Sequence, residues 1–600
     1  MSAKDFSALS IVSGPTDEPL WSTTLGALID TQARHYGDRT AVVFSWQKVS
    51  QTYRDLLFRS KLVAKALLES GIRHGDRVGI TAGNCLEYIE VFLGAARIGC
   101  PVVVLNSTYA PQELLQAVTF SRCKLVCVAQ YSEHRTDLAE HLDLLSRGLK
   151  TDLQLVLFNG LFDPGSSKLK STSYNDFVAR GECSKLSDIE LTKKESLVRA
   201  GDTVNLQFTS GTTGSPKAAM LSHINLINNA RLVGERLRLN PNEVVCCPPP
   251  LFHCFGLVMG FLGSFTNGSS IVFPSPRFDP DLVLDAIEAE RCTVLYGVPT
   301  MFVAELDANA KRRRNLTSLK TGLASGSPVP QALMNRLEQD MGIQTMLIAY
   351  GMTETSPVTF ATSFGCPPEH RLDSVGTVFP HTAAKIIDLE GNIVPRGVRG
   401  EICTSGYALQ QGYLDNEEKT KEAMRMDADG VLWMYTGDEG VIDKDGYCRV
   451  TGRIKDMIIR GKHNHLPMPW RQATNSIVSP GGENIVPVEI EERLLAHASI
   501  VEASVVGVPD DKYGEEVACF IRQAEKSARL SAVHVADWVR QTLGRHKAPK
   551  HVFWIGDAAV GDDFPKTGSG KHQKHVLRGI GARLLRQSKN ANAGAVRARL

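Results

Sequence analysis

Short apolar runs alternate with amphipathic stretches of helical period through the first half of the chain, and this rhythm restricts the fold more than any other feature. Runs at 77–81, 101–105 and 124–129 are separated by amphipathic stretches at 86–98 and 112–120, and the alternation returns at 243–247, 270–273 and 292–296. Strands this short and this apolar cannot leave one face in water, so they belong in a largely parallel sheet with helices on both faces. The predicted class is α/β, with layered sheets and helices in a large multi-subdomain N-terminal region. No stretch of 20–50 residues repeats along the chain, which sets a solenoid aside. Six hundred residues also exceed what one hydrophobic core organises, ~250–300 residues, so at least two domains are expected. Past Asp438 the pattern changes to short strands and turns (439–446, 447–450), a helix-like stretch at 488–496, a strand-like one at 501–508 and another helix near 531–543. A smaller α+β domain is placed there, dividing the chain into 1–454 and a mobile 455–600.

Charge removes several classes of function. Lysine and arginine total 67 against 65 acids, a net charge of +2, so no broad positive field is available for nucleic acid or an anionic membrane. Any bound anion must be gripped locally. The thirteen cysteines are odd in number and scattered, with no Cys-x-x-Cys pair, which fits a reducing compartment better than a disulfide framework or a zinc ribbon. The longest apolar stretch, 91–105, is broken by Arg97 and Pro101 and is too short to span a bilayer. The first residues carry acids early and no apolar core, so neither export nor mitochondrial import is expected.

The strongest chemical signal is the run Thr209, Ser210, Gly211, Thr212, Thr213, Gly214, Ser215, Pro216, Lys217. Alternating Val204, Leu206 and Phe208 precede it, and Ile224, Ile227, Ala230, Val233 and Leu237 follow at helical spacing, so the predicted order is strand, loop, helix. Glycines let backbone approach an anion, hydroxyls and N–H groups encircle phosphate oxygens, and a lysine supplies the countercharge. A Walker A loop is excluded, because Pro216 stands where that loop has glycine and Ala218 where it has serine or threonine. Cys246, Cys247, His253 and Cys254 lack the paired spacing of a zinc site and read as buried thiols in an apolar, proline-rich segment.

Further clusters follow in order: Pro250-Leu-Phe-His-Cys-Phe-Gly256, Tyr350-Gly-Met-Thr-Glu354, Gly400-Glu-Ile-Cys403, Tyr435-Thr-Gly-Asp438, Gly452-Arg-Ile-Lys-Asp456 and Gly568-Ser-Gly-Lys571. With the first loop, this series resembles the adenylate-forming, AMP-binding superfamily of acyl-CoA synthetases, peptide-synthetase adenylation domains and luciferases, from about residue 25 to 577. The wording around 206–235, 297–302 and 456–460 is most similar to the medium-chain branch called acyl-CoA synthetase family member two. The resemblance implies an ATP-dependent acid–thiol ligase. A carboxylate oxygen attacks the α-phosphorus of ATP to give an acyl-adenylate and pyrophosphate, and the thiol of coenzyme A then displaces AMP.

The resemblance also implies roles. Thr209 to Gly214 and Lys217 would hold the β and γ phosphates, and Thr353 would touch the α phosphate. Glu354, with Thr213, would bind Mg²⁺, a hard cation suited to carboxylate, phosphate and water oxygens. Tyr350 would stack near adenine beside Gly351 and Ser327, Asp438 would accept hydrogen bonds from the ribose hydroxyls, and Arg453 would be a second ribose contact. His253, Phe255 and Gly256, followed by Leu257 and Met259, would line the acyl pocket. Lys571 would steady the carboxylate and α phosphate during adenylation, and Lys455 would sit at the hinge of the mobile domain. Two other functions remain open at this point: a stand-alone carboxylic-acid or amino-acid adenylating enzyme that loads a carrier protein, and a catalytically silent ATP-binding scaffold.

Two features stand apart from the family's pattern. Where relatives read Arg-Gly-Gly-Glu-Asn-Ile without interruption, this chain inserts the twenty residues 462–481 after Gly461. The insert has no helical or strand period. Its flanking residues Gly461-Lys462 and Pro480-Gly481, with Thr474-Asn475 between, can be encoded by splice donor, acceptor and branch-point sequences, so a translated intron is the preferred reading. The chain ends Ala598-Arg599-Leu600, which resembles the tripeptide read by the peroxisomal import receptor, so a peroxisomal address is expected, otherwise the cytoplasm.

Overall fold

A computed structural model describes residues 8–129, 138–149, 153–159, 169–209, 217–327, 329–460, 483–510, 513–524, 527–568 and 570–597. Residues 210–216 of the first loop, the insert 462–481 and the terminal tripeptide 598–600 therefore lie outside the described residues.

Four sheets carry the fold. The first has seven strands in the order Lys217–Ser222, Thr203–Thr209, Val102–Leu105, Val78–Thr81, Leu125–Val128, Gln154–Leu157, Lys170–Ser173. All its pairings are parallel except the Lys217–Ser222 edge. The apolar runs of the sequence are its centre, and every residue of the Val78, Val102 and Leu125 strands is buried. The second sheet has nine strands. Its parallel centre runs Thr345–Gly351, Thr321–Ser325, Val294–Gly297, Val244–Cys246, Ser270–Phe273, Thr40–Phe44. The helices Leu25–Tyr36, Tyr53–Glu69, Leu86–Arg97 and His223–Arg236 and the wholly buried π-helical Phe255–Leu262 share one apolar core with these two sheets.

The third sheet is antiparallel, and the short strands expected within 439–450 fall in it. It is built from Ile11–Ser13, Thr382–Ile387, Gly400–Gly406, Leu432–Ile442, Met424–Met426 and Cys448–Arg453. The fourth, small and mixed, contains Ile458–Arg460, Glu483–Ile485, Ile500–Asp510, Gly514–Gln523 and His551–Trp554, packed with helices Pro487–Leu495 and Ala532–Arg540. The boundary drawn at 454/455 falls in the short 3-10 turn Ile454–Asp456 that links the third sheet to the fourth.

One local expectation is corrected. The phosphate-loop segment does not pass from strand to helix; it joins two antiparallel strands, with Lys217 opposite Thr209 and Ala218 opposite Phe208. The outer side of 217–222 is covered by the irregular segment 411–414: the Met220 N–H donates to the Gly412 carbonyl (3.0 Å) and the Leu414 N–H to the Ala218 carbonyl (2.9 Å). The helix begins only at His223, where Ser222 and Asn225 cap each other: the Asn225 N–H donates to Ser222 Oγ (3.2 Å) and the Ser222 N–H to Asn225 Oδ1 (2.8 Å).

Candidate active site

The carboxyl ends of strands Thr203–Thr209, Thr321–Ser325 and Thr345–Gly351 open on one cleft of about 1070 Å³, the usual place for a ligand in a parallel sheet. The third sheet and the hairpin carrying Lys571 close its other sides. Thr209, Lys217, His253, Phe255, Gly351, Thr353, Glu354, Arg453, Lys455 and Lys571 all line it, although they are spread over more than 360 positions of the chain.

Asp438 forms the hub of one side of the site. It is 6% exposed on strand Leu432–Ile442, opposite Arg453 in the ladder. The Arg453 guanidinium lies 3.3 Å from Asp438 Oδ1, and the Tyr350 hydroxyl donates to Oδ2 at 2.7 Å. Burial, then the neighbouring Asp438 charge, pushes the Tyr350 phenol well above its ordinary range, so it stays a donor. The backbone before Asp438 is fixed as well. Gly437 adopts φ +70°, a region that favours glycine, its N–H donates to Glu401 (3.0 Å), and the Asp438 N–H donates to Thr436 Oγ1 (3.1 Å).

Glu354 sits in the 3-10 turn Thr353–Thr355 directly after strand Thr345–Gly351. It is buried, and its Oε1 accepts a hydrogen bond from the Tyr413 hydroxyl at 2.8 Å. The same tyrosine ring lies 5.3 Å from the Lys217 ammonium. Tyr413 thus joins the phosphate-side lysine to the acid, a link that sequence reading missed, because a tyrosine after Gly412 looks like turn packing. The pairing of 217–222 with 411–414 brings these side chains together. Glu354 also suits a magnesium ion by the chemistry of its donors: one carboxylate at the edge of a phosphate-sized space leaves the remaining positions to phosphate and water. Among the described residues no group of three or more His, Cys, Asp or Glu could hold a metal by itself.

Lys571 enters from the last domain. Its hairpin is closed by an isolated bridge between Lys566 and His572, and the Lys571 N–H donates to Thr567 Oγ1 at 3.1 Å. The lysine stem passes Gly326 so closely that a Cβ there would stand 3.3 Å from Lys571 Cε, and a Cβ on Gly568 would meet Asn106 at 2.9 Å. Desolvation, then the Arg453 charge, holds the Lys571 ammonium below its ordinary pKa. Lys455 is lowered in the same way, by burial, then Arg453 and Lys217. An arriving polyanion relieves both effects.

The acyl side is mixed. Phe255 and Met259 line the cleft together with Val358. The His253 ring accepts the Phe255 N–H on Nδ1 at 3.2 Å; burial, then the nearby Lys571 charge, drives its pKa down to about 3, so the ring is neutral near pH 7. Gly256 does not line the pocket: a Cβ there would stand 2.3 Å from the Pro250 carbonyl oxygen, so the position needs glycine to pack backbone on backbone. Leu257 is buried in the core. Ser327 is exposed and lies off the cleft wall, just past Gly326. Ser210, Gly211, Thr212, Thr213 and Gly214 lie outside the described residues. The thiols of the proline-rich segment point to different neighbours, Cys247 to the Pro249 carbonyl and Cys254 to Thr353.

Two expectations follow from this geometry. Tyr413→Phe keeps the ring beneath Lys217 and deletes the bond to a charged acid, so acid-dependent ATP–pyrophosphate exchange should fall about tenfold, the rate equivalent of ~1.4 kcal/mol. Unchanged exchange would show that Glu354 does not need this partner. For His253 the folded pKa lies below the ordinary 6.5, so the unfolded chain protonates first and stability drains as pH falls from 6.5 toward 3. His253→Gln should lose less melting temperature between pH 7 and pH 5 than the native protein; an equal loss counts against a buried neutral ring.

Comparison with known proteins agrees with this arrangement. The family described as AMP-binding enzyme matches residues 29–414, and its AMP-binding enzyme C-terminal domain matches 489–571. The chain is 46% identical to the acyl-CoA ligase sidI of Aspergillus fumigatus, across 96% of this chain and 94% of that protein. It is 35% identical to the mitochondrial medium-chain acyl-CoA ligase ACSF2 of Danio rerio, across 95% and 90%. Among solved structures, ATP-bound MatB from Rhodopseudomonas palustris superposes with a TM-score of 0.72 at 26% identity, covering 94% of this chain and all of that one. The anthranilate CoA ligase AuaEII with anthranoyl-AMP superposes at 0.77 and 23% identity, over 94% and 98%, a likeness of fold.

Proposed function

We propose how this cleft divides its work from one premise: the chain belongs to the AMP-binding enzyme family and is an ATP-dependent acyl-CoA ligase. In the first half-reaction a carboxylate oxygen bonds to the α-phosphorus of ATP as the bond to the β-phosphate oxygen breaks, giving acyl-adenylate and pyrophosphate. In the second, the thiol of coenzyme A attacks the acyl carbon, loses its proton and expels AMP. Both steps develop charge on phosphate or carbonyl oxygens, so preorganised cations and donors serve them better than a covalent helper.

The observation that carries the assignment is that Arg453, held by the Tyr350–Asp438 pair behind it, lines the same cleft as Lys571, Lys217 and Glu354. Asp438 keeps carboxylate capacity for the ribose diol while Tyr350 presents its ring to the base. Lys217 takes the β and γ phosphates. Thr353 and Lys571 address the α phosphate, and Lys571 also steadies the incoming carboxylate. Glu354, oriented by Tyr413, would hold Mg²⁺, which supplies charge neutralisation across the phosphates. Lys455 lies in the turn that links the two parts of the chain, so rotation there would withdraw Lys571 after adenylation and offer another face to coenzyme A.

For the acid, we infer a medium-chain or related carboxylate. The reading rests on apolar Phe255, Met259 and Val358 on the cleft wall and on the likeness to a medium-chain ligase. Initial rates across C2 to C18 acids should peak between about C6 and C12; an optimum on acetate or on an amino acid would overturn it. The division of roles separates the half-reactions. Lys571→Ala should slow adenylation by at least tenfold yet leave thioester formation from supplied acyl-adenylate near normal, while Lys455→Pro should do the reverse. Equal loss of both half-reactions in either variant contradicts its role.

A further inference from the structure

At the edge of the cleft, where Lys566 joins its lining, a cluster of charge in the last domain surrounds a single carboxylate. Glu502, on strand Ile500–Asp510, directs Oε1 at two side chains at once: Lys566 Nζ at 2.7 Å and His572 Nε2 at 2.9 Å. These are the two residues that pair across the base of the hairpin bearing Lys571. Its other oxygen, Oε2, accepts from Arg522 Nε at 3.2 Å, and Arg522 stands opposite it in the ladder with Gly514–Gln523. Arg522 is held in turn by Asp563, which also lies 3.9 Å from Lys566. The His572 ring stacks on Phe564, centroids 4.4 Å apart at 12°. Burial alone would raise the Glu502 carboxyl, but the His572 hydrogen bond and the Lys566 ammonium outweigh it and hold the pKa at about 2.

Above this clasp the hairpin is held by its own bonds, among them the Thr567 N–H on the Lys571 carbonyl (2.7 Å). Its tip is a tight turn, with the Gly570 N–H on the Thr567 carbonyl (2.8 Å), and Gly570 adopts φ +83°. A glycine-bearing tip keeps little rigidity of its own. The aim of Lys571 therefore depends on how firmly the base is held against the sheet.

We propose that Glu502 is a positioning residue for adenylation: its carboxylate clamps both ends of the 566–572 hairpin and so fixes where Lys571 delivers its ammonium. The inference rests on the reading of Lys571 as the adenylation lysine. Glu502 touches neither nucleotide nor acid, and its contribution passes through Lys571 alone. It is then needed in the first half-reaction and not in the second.

The test compares both half-reactions in full-length Glu502→Gln, Glu502→Asp and Lys571→Ala, alone and combined. Glu502→Gln should lower ATP–pyrophosphate exchange at least tenfold, keep thioester formation from supplied acyl-adenylate within twofold, and recover in part as Glu502→Asp. In the Lys571→Ala background the same Glu502→Gln change should alter exchange less than twofold, since the group it positions is gone. Equal loss in both half-reactions, or a full additional loss in the double variant, would make Glu502 a structural acid only and overturn the proposal; so would native exchange in Glu502→Gln. Native exchange in Lys571→Ala would instead remove the reading beneath it, and the two failures are told apart by which single variant behaves normally. Should Glu502→Gln lose its circular-dichroism signature, His572→Phe releases the arm of the clamp that does not line the cleft, and the same split is expected at three- to tenfold, with an unsplit loss counting against it.

Discussion

The Asp438 carboxylate, shared between Tyr350 and Arg453, is the contact on which the site depends. Tyr350 lies near the carboxyl end of Thr345–Gly351, the last strand of the parallel run in the nine-stranded sheet, whereas Asp438 and Arg453 pair in the antiparallel sheet that leads to the Ile454–Asp456 turn. Three hydrogen-bonding groups thus lock a parallel sheet, an antiparallel sheet and the start of the last domain at one point. A buried acid with one cation and one neutral donor is satisfied without ligand, and still has lone pairs to offer a diol.

The rest of the cleft is arranged around a shortage of anions. Arg453, Lys455 and Lys571 share a confined volume with Lys217, and burial together with mutual repulsion depresses the pKa values of Lys455 and Lys571. Glu354 and Asp438 offset only part of that positive charge. Such a site suits anionic ligands, because cations fixed in place offset the repulsion between negative groups brought close together. The neutral His253 completes the pattern, because burial beside Lys571 disfavours a further charge.

Much of this was legible in the sequence where one residue type has one plausible use. The apolar runs became the buried parallel strands because runs of four or five residues are too short for a helix and suit a strand covered on both faces. The ordered motifs led to Lys217, Glu354, Arg453 and Lys571, which the fold brings to one cleft, and to Asp438, which pairs with Arg453 at its wall. What escaped depends on pairing between distant segments. The strand Lys217–Ser222 is too weakly alternating to announce itself and exists because 203–209 and 411–414 flank it. That flanking delivers Tyr413 to Glu354, and a lone tyrosine carries no spacing signal. Glu502 reads as any strand acid until the 566–572 hairpin folds onto it, and Gly256 reads as pocket until its backbone contacts are seen.

The central claim is that a carboxylate oxygen attacks the α-phosphorus in this cleft before any thiol acts. Turnover with a carboxylic acid carrying ¹⁸O in both oxygens, followed by mass spectrometry of the AMP released, tests it most directly. One labelled oxygen should appear in AMP and the other remain in the thioester, because the P–O bond formed in adenylation is kept when coenzyme A breaks the acyl C–O bond. AMP without the label would contradict the account.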